Sequence, residues 1–244
     1  MSGHSKWASI KHKKGANDAK RGKILNKHSK ILLVVGRNDP NPDTNSSLRA
    51  AITNAKADNV PNDNISRILK KLSGGDKDAA VYSELVYEGF GPEGIPFVIT
   101  ALSDNVNRTF PSVKNAFAKN GGNLGSSGAV MFMFDHVGII NIKNDGKSED
   151  ELFELAIEAG ADDFSYNLES SEIITKFVDL GSVVKSLDGK IEIIKFAPEY
   201  RAKDPKIISD AGILEKIEKF IDAVEEAEDV DDVFGGFDVS EELV

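Results

Sequence analysis

The sequence predicts an α+β protein in which an N-terminal three-helix domain is followed by two ferredoxin-like α/β sandwich domains, the second inserted into the first. Three observations carry that expectation. Between residues 16 and 72 apolar residues recur at helical spacing in three blocks separated by Gly- and Pro-rich breaks. Beyond residue 81 the pattern changes to short apolar runs alternating with helical stretches. From Val137 the order reads strand, helix, strand, strand, helix, strand, which is the ferredoxin-like order. The expected domains are residues 1–78, basic and helical; 79–136 together with 206–244, an α/β domain with an acidic C-terminus; and 137–205, the insertion.

In order along the chain, the first helix runs from about Ala16, with Ile24, Leu25, His28, Ile31, Leu32 and Val35 on one arc and Lys20, Lys23, Lys27 and Lys30 on the next. GRNDPNP at 36–42 breaks it, because two prolines and a glycine disfavour a helix interior. Thr44, Asn45 or Ser46 caps a second helix, and a third opens near Pro61 and stops at Gly74–Gly75. Strands are expected at Glu84–Glu88 and Pro96–Leu102, then a helix over Asn107–Asn120, then strands at Ala129–Phe134 and Val137–Ile142 with His136 at the turn between them. The insertion continues with helix Glu149–Ala159 ended by Gly160, strands near Asp163–Asn167 and Glu172–Phe177, a helix to about Leu187 and strand Ile191–Phe196. A last helix, Ala211–Ala227, and strand, Val230–Phe234, are expected to return and complete the sheet begun at residue 82.

Charge divides the chain unevenly. Residues 1–37 hold ten Lys or Arg against one acid, Asp18, a net +9, whereas the other 207 residues carry −19. A split of that size points to a polyanionic partner for one end. The cations Lys6, Lys11, Lys13, Lys14, Lys20, Arg21, Lys23, Lys27 and Lys30, with Trp7 and His12 interleaved for stacking, are therefore the candidate nucleic-acid-binding residues. Arg108 joins them because Asp104, Asn105 and Asn107 of DNVNRT are typical helix caps and leave it available for an anion.

Other chemistry finds little support. Zero cysteines exclude disulfides and thiolate metal sites, no histidine set has metal-ligand spacing, and no run reaches the roughly 18 apolar residues of a membrane span. GGNLGSSG at 121–128 follows a helix and lacks the Lys-Ser/Thr of a P-loop, so it reads as a tight turn. The acids from Glu215 onward read as a solvated or charge-repelling face. With His136 the one histidine outside the basic region, no nucleophile–base pair is evident and no enzyme is expected. The expectation is a cytoplasmic monomer without cofactor or metal, whose partner is nucleic acid and not a membrane.

SGHSKW, IKHKKGANDAKRGK, LRAAI at 48–52, NVPNDNI at 59–65, YEGFGPEG at 87–94, DNVNRT at 104–109 and KNGGNLGSSGAV at 119–130 resemble the YebC/PmpR family, which includes the mitochondrial translational activators of cytochrome oxidase. Two positions depart from the family pattern: Leu25 stands where an aromatic is usual and Asn62 where a lysine is usual. The resemblance implies a non-enzymatic regulator of gene expression, either an RNA- and ribosome-associated translation factor relieving stalling on proline-rich stretches or a DNA-binding transcriptional regulator. Phosphate-seeking cations without a base-reading helix favour the first.

Overall fold

A computed structural model describes residues 18–74, 81–168 and 170–243. They pack as two units, one built from described residues within 31–76 and 136–199, the other from those within 5–30, 77–135 and 200–244.

In the first unit the end of helix α1 (Asp18–Gly36) meets α2 (Ser46–Ala57) and α3 (Asn62–Ser73). Leu32, Leu48, Ala51, Ala55, Val60 and Ile65 form their buried seam. Asn45 organises the turn between α1 and α2. Its amide donates to the carbonyls of Val35 and Asp39, both at 2.7 Å, while its Oδ1 accepts from the Leu48 N–H at 3.0 Å, so one side chain closes a helix end and caps the next.

The same unit contains most of a βαββαβ domain: β4 (Phe134–Lys143), α5 (Glu149–Ala159), β5 (Asp163–Ser165), β6 (Ser170–Lys176), α6 (Leu180–Leu187) and β7 (Ile193–Ala202). Its strand order, β5-β6-β4-β7, is ferredoxin-like. Ser148 and Glu151 form a capping box at the start of α5, and Gly160 ends it at φ 97°, a left-handed position suited to glycine. Ile140, Ile142, Leu152, Ala156, Ile173, Val183 and Leu187 fill the core. Helix α2 docks on edge strand β7 through Asn54, whose Oδ1 accepts from the Phe196 N–H at 3.0 Å and whose amide donates to the Phe196 carbonyl at 2.5 Å. Asp58 and Lys195 pair beside it at 2.8 Å.

The second unit holds a four-stranded antiparallel sheet ordered β3-β1-β2-β9, with β1 (Ser83–Phe90), β2 (Pro96–Ser103), β3 (Asn123–Leu124) and β9 (Val230–Gly235). Helices α4 (Val106–Lys119) and α7 (Ala211–Glu225) pack with this sheet, whose centre is a hairpin, unlike that of the inserted domain. Phe97, Phe117 and Phe220, all fully buried, meet with ring centroids 4.8 and 4.9 Å apart. Returning strand β9 pairs with β2, as the sequence leads one to expect of the last helix and strand. Two short strands not foreseen, β8 (Lys206–Ile208) and β10 (Phe237–Val239), form a parallel pair.

One expected strand is replaced by other structure. Residues 129–133 form a turn and a short 3-10 helix, and β4 begins at Phe134, so His136 lies within a strand and stacks on Phe177 at 4.0 Å. The reason lies in Glu88, a residue 5 % exposed whose carboxylate accepts from the N–H groups of Gly128 (2.7 Å), Val130 (2.9 Å) and Met131 (2.8 Å). A neighbouring strand would need those donors. Gly122 of GGNLGSSG is required by close packing: a Cβ there would lie 2.6 Å from the Phe220 ring and 2.9 Å from the Phe90 carbonyl oxygen.

Candidate nucleic-acid interface

The sequence places its densest positive charge on the N-terminal 37 residues, and α1 carries the described part of it. Lys6, Trp7, Lys11, His12, Lys13 and Lys14 lie outside the described residues, as does the side chain of Lys20. Arg21 is exposed.

Farther along α1 the lysines meet acids and carbonyls of their own unit. Lys23 donates to the carbonyl of Glu225, and to that of Ala227 at 3.3 Å, at the C-terminal end of α7 where unsatisfied carbonyls carry partial negative charge. Lys27 pairs with Asp232 at 2.6 Å and donates to the Asp231 carbonyl at 3.3 Å. Lys30, with its side chain 9 % exposed, pairs with Asp229 and donates to the Leu102 carbonyl at 3.0 Å. The expected cationic arc thus has partners within its own unit at these three residues. Helical spacing sets them on one arc, and that arc meets acids and carbonyls at the end of α7, in the turn after it and in strands β9 and β2 of the same unit.

Arg108 likewise has carboxylate partners within its own unit. Its guanidinium meets Asp104 at 2.7 Å, Glu228 at 2.7 Å and Asp229 at 2.8 Å, while Asn105 caps α4 by accepting from the Arg108 N–H at 3.2 Å. These carboxylates hold the Arg108 pKa above its already high ordinary value.

Asp229 is the centre of this network and does not stand out in the sequence, where EEAEDVDD reads as a solvated run. Its side chain is 6 % exposed, its backbone takes φ 66°, and its carboxylate accepts from Lys30, Arg108, Ser103 (2.8 Å) and Thr109 (2.9 Å). Burial alone would raise its pKa, but hydrogen bonds from Lys30, Arg108, Ser103 and Thr109 hold it well below the usual carboxylate range. Asp231 shows the opposite balance: burial pushes its carboxyl up to about 6 despite the attraction of Lys27. A signal existed for Asp229, since Asp and Asn tolerate the left-handed conformation needed between a helix and a strand.

On the other unit, Arg49, Lys56, Arg67 and Lys70 are exposed on α2 and α3. Among the described residues no three His, Asp or Glu side chains converge as a metal site, and no helix is long and apolar enough to cross a membrane.

Comparison with known proteins finds that residues 5–75 match the family model for the TACO1/YebC N-terminal domain and residues 82–237 match that for the TACO1/YebC second and third domains. A "Probable transcriptional regulatory protein" of Hathewaya histolytica is 45% identical over 237 residues, 96% of each chain. One of the same description from Desulfosudis oleivorans is 40% identical over 244 residues, covering 100% of this chain and 99% of the relative. The crystal structure of a conserved hypothetical protein from Aquifex aeolicus superposes with a TM-score of 0.79 at 37% identity, covering 93% of this chain and 94% of that one.

Proposed function

The chain belongs to the TACO1/YebC family, and from that premise we propose that it is a non-enzymatic, nucleic-acid-binding regulator of gene expression acting on RNA at the ribosome, where it relieves stalling on proline-rich stretches. The regulatory role is supported by the name that its relatives carry. The choice of RNA is supported by the character of the cations: they are phosphate-seeking lysines, and none of the described helices presents a row of base-reading Arg, Asn and Gln side chains.

The observation that carries the reading is the excess of ten cations over one acid in residues 1–37, together with how the described part of it is used. Lys23, Lys27 and Lys30 anchor α1 to its own unit. The interface then falls to Lys6, Lys11, Lys13, Lys14, Lys20 and Arg21, with Trp7 and His12 available to stack on bases. In this mechanism the anchored helix fixes the root of a basic segment, and RNA contacts hold that segment where it orders the substrates of peptide transfer without supplying a reacting group. The DNA-binding alternative rests on the names of the relatives.

Sedimentation tests the reading. The protein is expected to travel with 70S ribosomes, to lose that association after RNase, and to shorten pausing on consecutive prolines in reconstituted translation. Replacing Lys6, Lys11, Lys13, Lys14, Lys20 and Arg21 by Gln should flatten the log K against log salt plot on single-stranded RNA by about 0.7 for each phosphate that is no longer neutralised. Sedimentation with nucleoid DNA and unchanged pausing would favour transcriptional regulation instead.

A further inference from the structure

We propose that the outer face of α5 in the inserted domain docks a basic protein segment carrying an apolar anchor. Leu152 and Ala156 of this helix are fully buried, yet Phe153 and Ile157, one turn apart, are 50 % and 49 % exposed. At about 100° per residue these two share an arc that continues through Asp150 and Glu154. Phe153 meets Phe164 of edge strand β5 edge-on, with centroids 6.2 Å apart, so its ring is held in place and still open to solvent. An aromatic and a branched aliphatic side by side on a surface helix, rimmed by charge, are the usual composition of a protein-binding patch.

Charge selects the occupant. From Ser148 to Thr175 the chain holds nine acids and no Lys, Arg or His. Of these acids, Glu149, Asp150, Glu154, Glu158 and Asp162 are exposed around the patch. That field repels nucleic acid and anionic lipid, and it opposes a second copy presenting the same face. It attracts a Lys- or Arg-rich polypeptide, and the apolar pair then distinguishes a segment with a buried leucine-like anchor from any merely cationic one. The docking surface is thus distinct in sign from the basic end of the chain, and its existence does not depend on which nucleic acid that end binds.

The test uses the full-length protein and a fluorescein-labelled amphipathic helical peptide of about 18 residues, with leucines along one face and lysines elsewhere. Wild type is expected to bind it in a salt-dependent manner. Phe153→Ser combined with Ile157→Ser should weaken binding about tenfold while the variant stays folded, as read by its circular dichroism at the assay temperature. Asp150→Asn with Glu154→Gln should weaken it and flatten the salt dependence. A peptide with serine for leucine should bind wild type no better than the leucine peptide binds the double-serine variant. Equal binding of the leucine peptide by wild type and the double-serine variant would reduce the effect to general attraction and overturn the proposal. So would tighter binding after Lys6, Lys11, Lys13 and Lys14 are changed to Gln, because the chain's own segment would then be the occupant. A wild-type dimer that the double-serine variant dissociates would assign the face to a second copy and likewise overturn it.

Discussion

Replacing Asp229 by Asn tests the claim that α1 is held by a buried charge. Asparagine keeps the volume, one acceptor oxygen and tolerance of the left-handed backbone at φ 66°, so the change isolates the negative charge. Of the two cations on Asp229, Arg108 is 39 % exposed and retains Asp104 and Glu228, so its loss is small. Lys30 is the residue left stranded, with its side chain 9 % exposed and the Leu102 carbonyl as its second acceptor. Removing one member of a buried pair costs about 3–5 kcal/mol, and the surviving carbonyl and amide contacts place Asp229→Asn at about 3 kcal/mol. For a chain of this length that is roughly a 6–12 °C fall in melting temperature, measurable by far-UV circular dichroism at pH 7. Lys30→Met should cost a similar amount, and the double variant clearly less than the sum, since neither charge remains to be buried alone. The pH dependence has a definite sign. The folded pKa of Asp229 is depressed below the unfolded value of about 3.9, so the advantage of wild type over Asp229→Asn is complete above about pH 5 and fades as pH falls toward the folded value. A loss under about 0.5 kcal/mol, or additive single substitutions, would refute the reasoning.

Asp231→Asn should act in the opposite direction. With a folded pKa of about 6 against 3.8 unfolded, the native state binds the extra proton between those values, so wild-type stability falls as pH rises from 4 to 6; the Asn variant should gain about 1–3 kcal/mol over wild type at pH 7 and nothing at pH 4, read by urea denaturation. Glu88→Gln should cost about 2–4 kcal/mol at pH 7, because three backbone donors lose a buried charged acceptor. Burial opposes ionisation of Glu88 but the three N–H bonds win, so its contribution is present above about pH 4.5 and fades at lower pH; amide exchange at Gly128, Val130 and Met131 should accelerate in the variant, and unchanged exchange would count against the loop being pinned this way.

Much of the fold is readable because local signals agree with one another. Helix α5 is legible to the residue: Ser148 and Glu151 mark its start, and Gly160 marks its stop. Strand β2 is readable from its continuous apolar run, which suits burial on both faces. Ala129–Phe134 misleads because an apolar run says nothing of where its N–H groups go, and here those of Val130 and Met131 go to the Glu88 carboxylate, about forty residues earlier. The paired strands β8 and β10, three residues each, are too short to show a period. At the basic end, helical geometry correctly groups Lys23, Lys27 and Lys30, but periodicity cannot tell a solvated stripe from one that meets its own acids. Asp229 is hidden in an acidic run because its burial depends on Lys30, nearly two hundred residues away in sequence.

The return of β9 to β2 also sets a timetable. Synthesis proceeds at about 5–20 residues per second, so β2, finished at Ser103, waits on the order of ten seconds for a partner that begins at Val230. The inserted strands and helices, contiguous from Phe134 to Ala202, emerge within that interval and can complete their sheet first. Meanwhile one side of an apolar strand stands open, which leaves the nascent chain vulnerable to association until about its last fifteen residues appear. Lys30 waits with it, since Asp229 arrives in those same residues. For most of its synthesis the basic helix therefore has no acid to dock on, while it emerges beside the RNA of the ribosome that is making it.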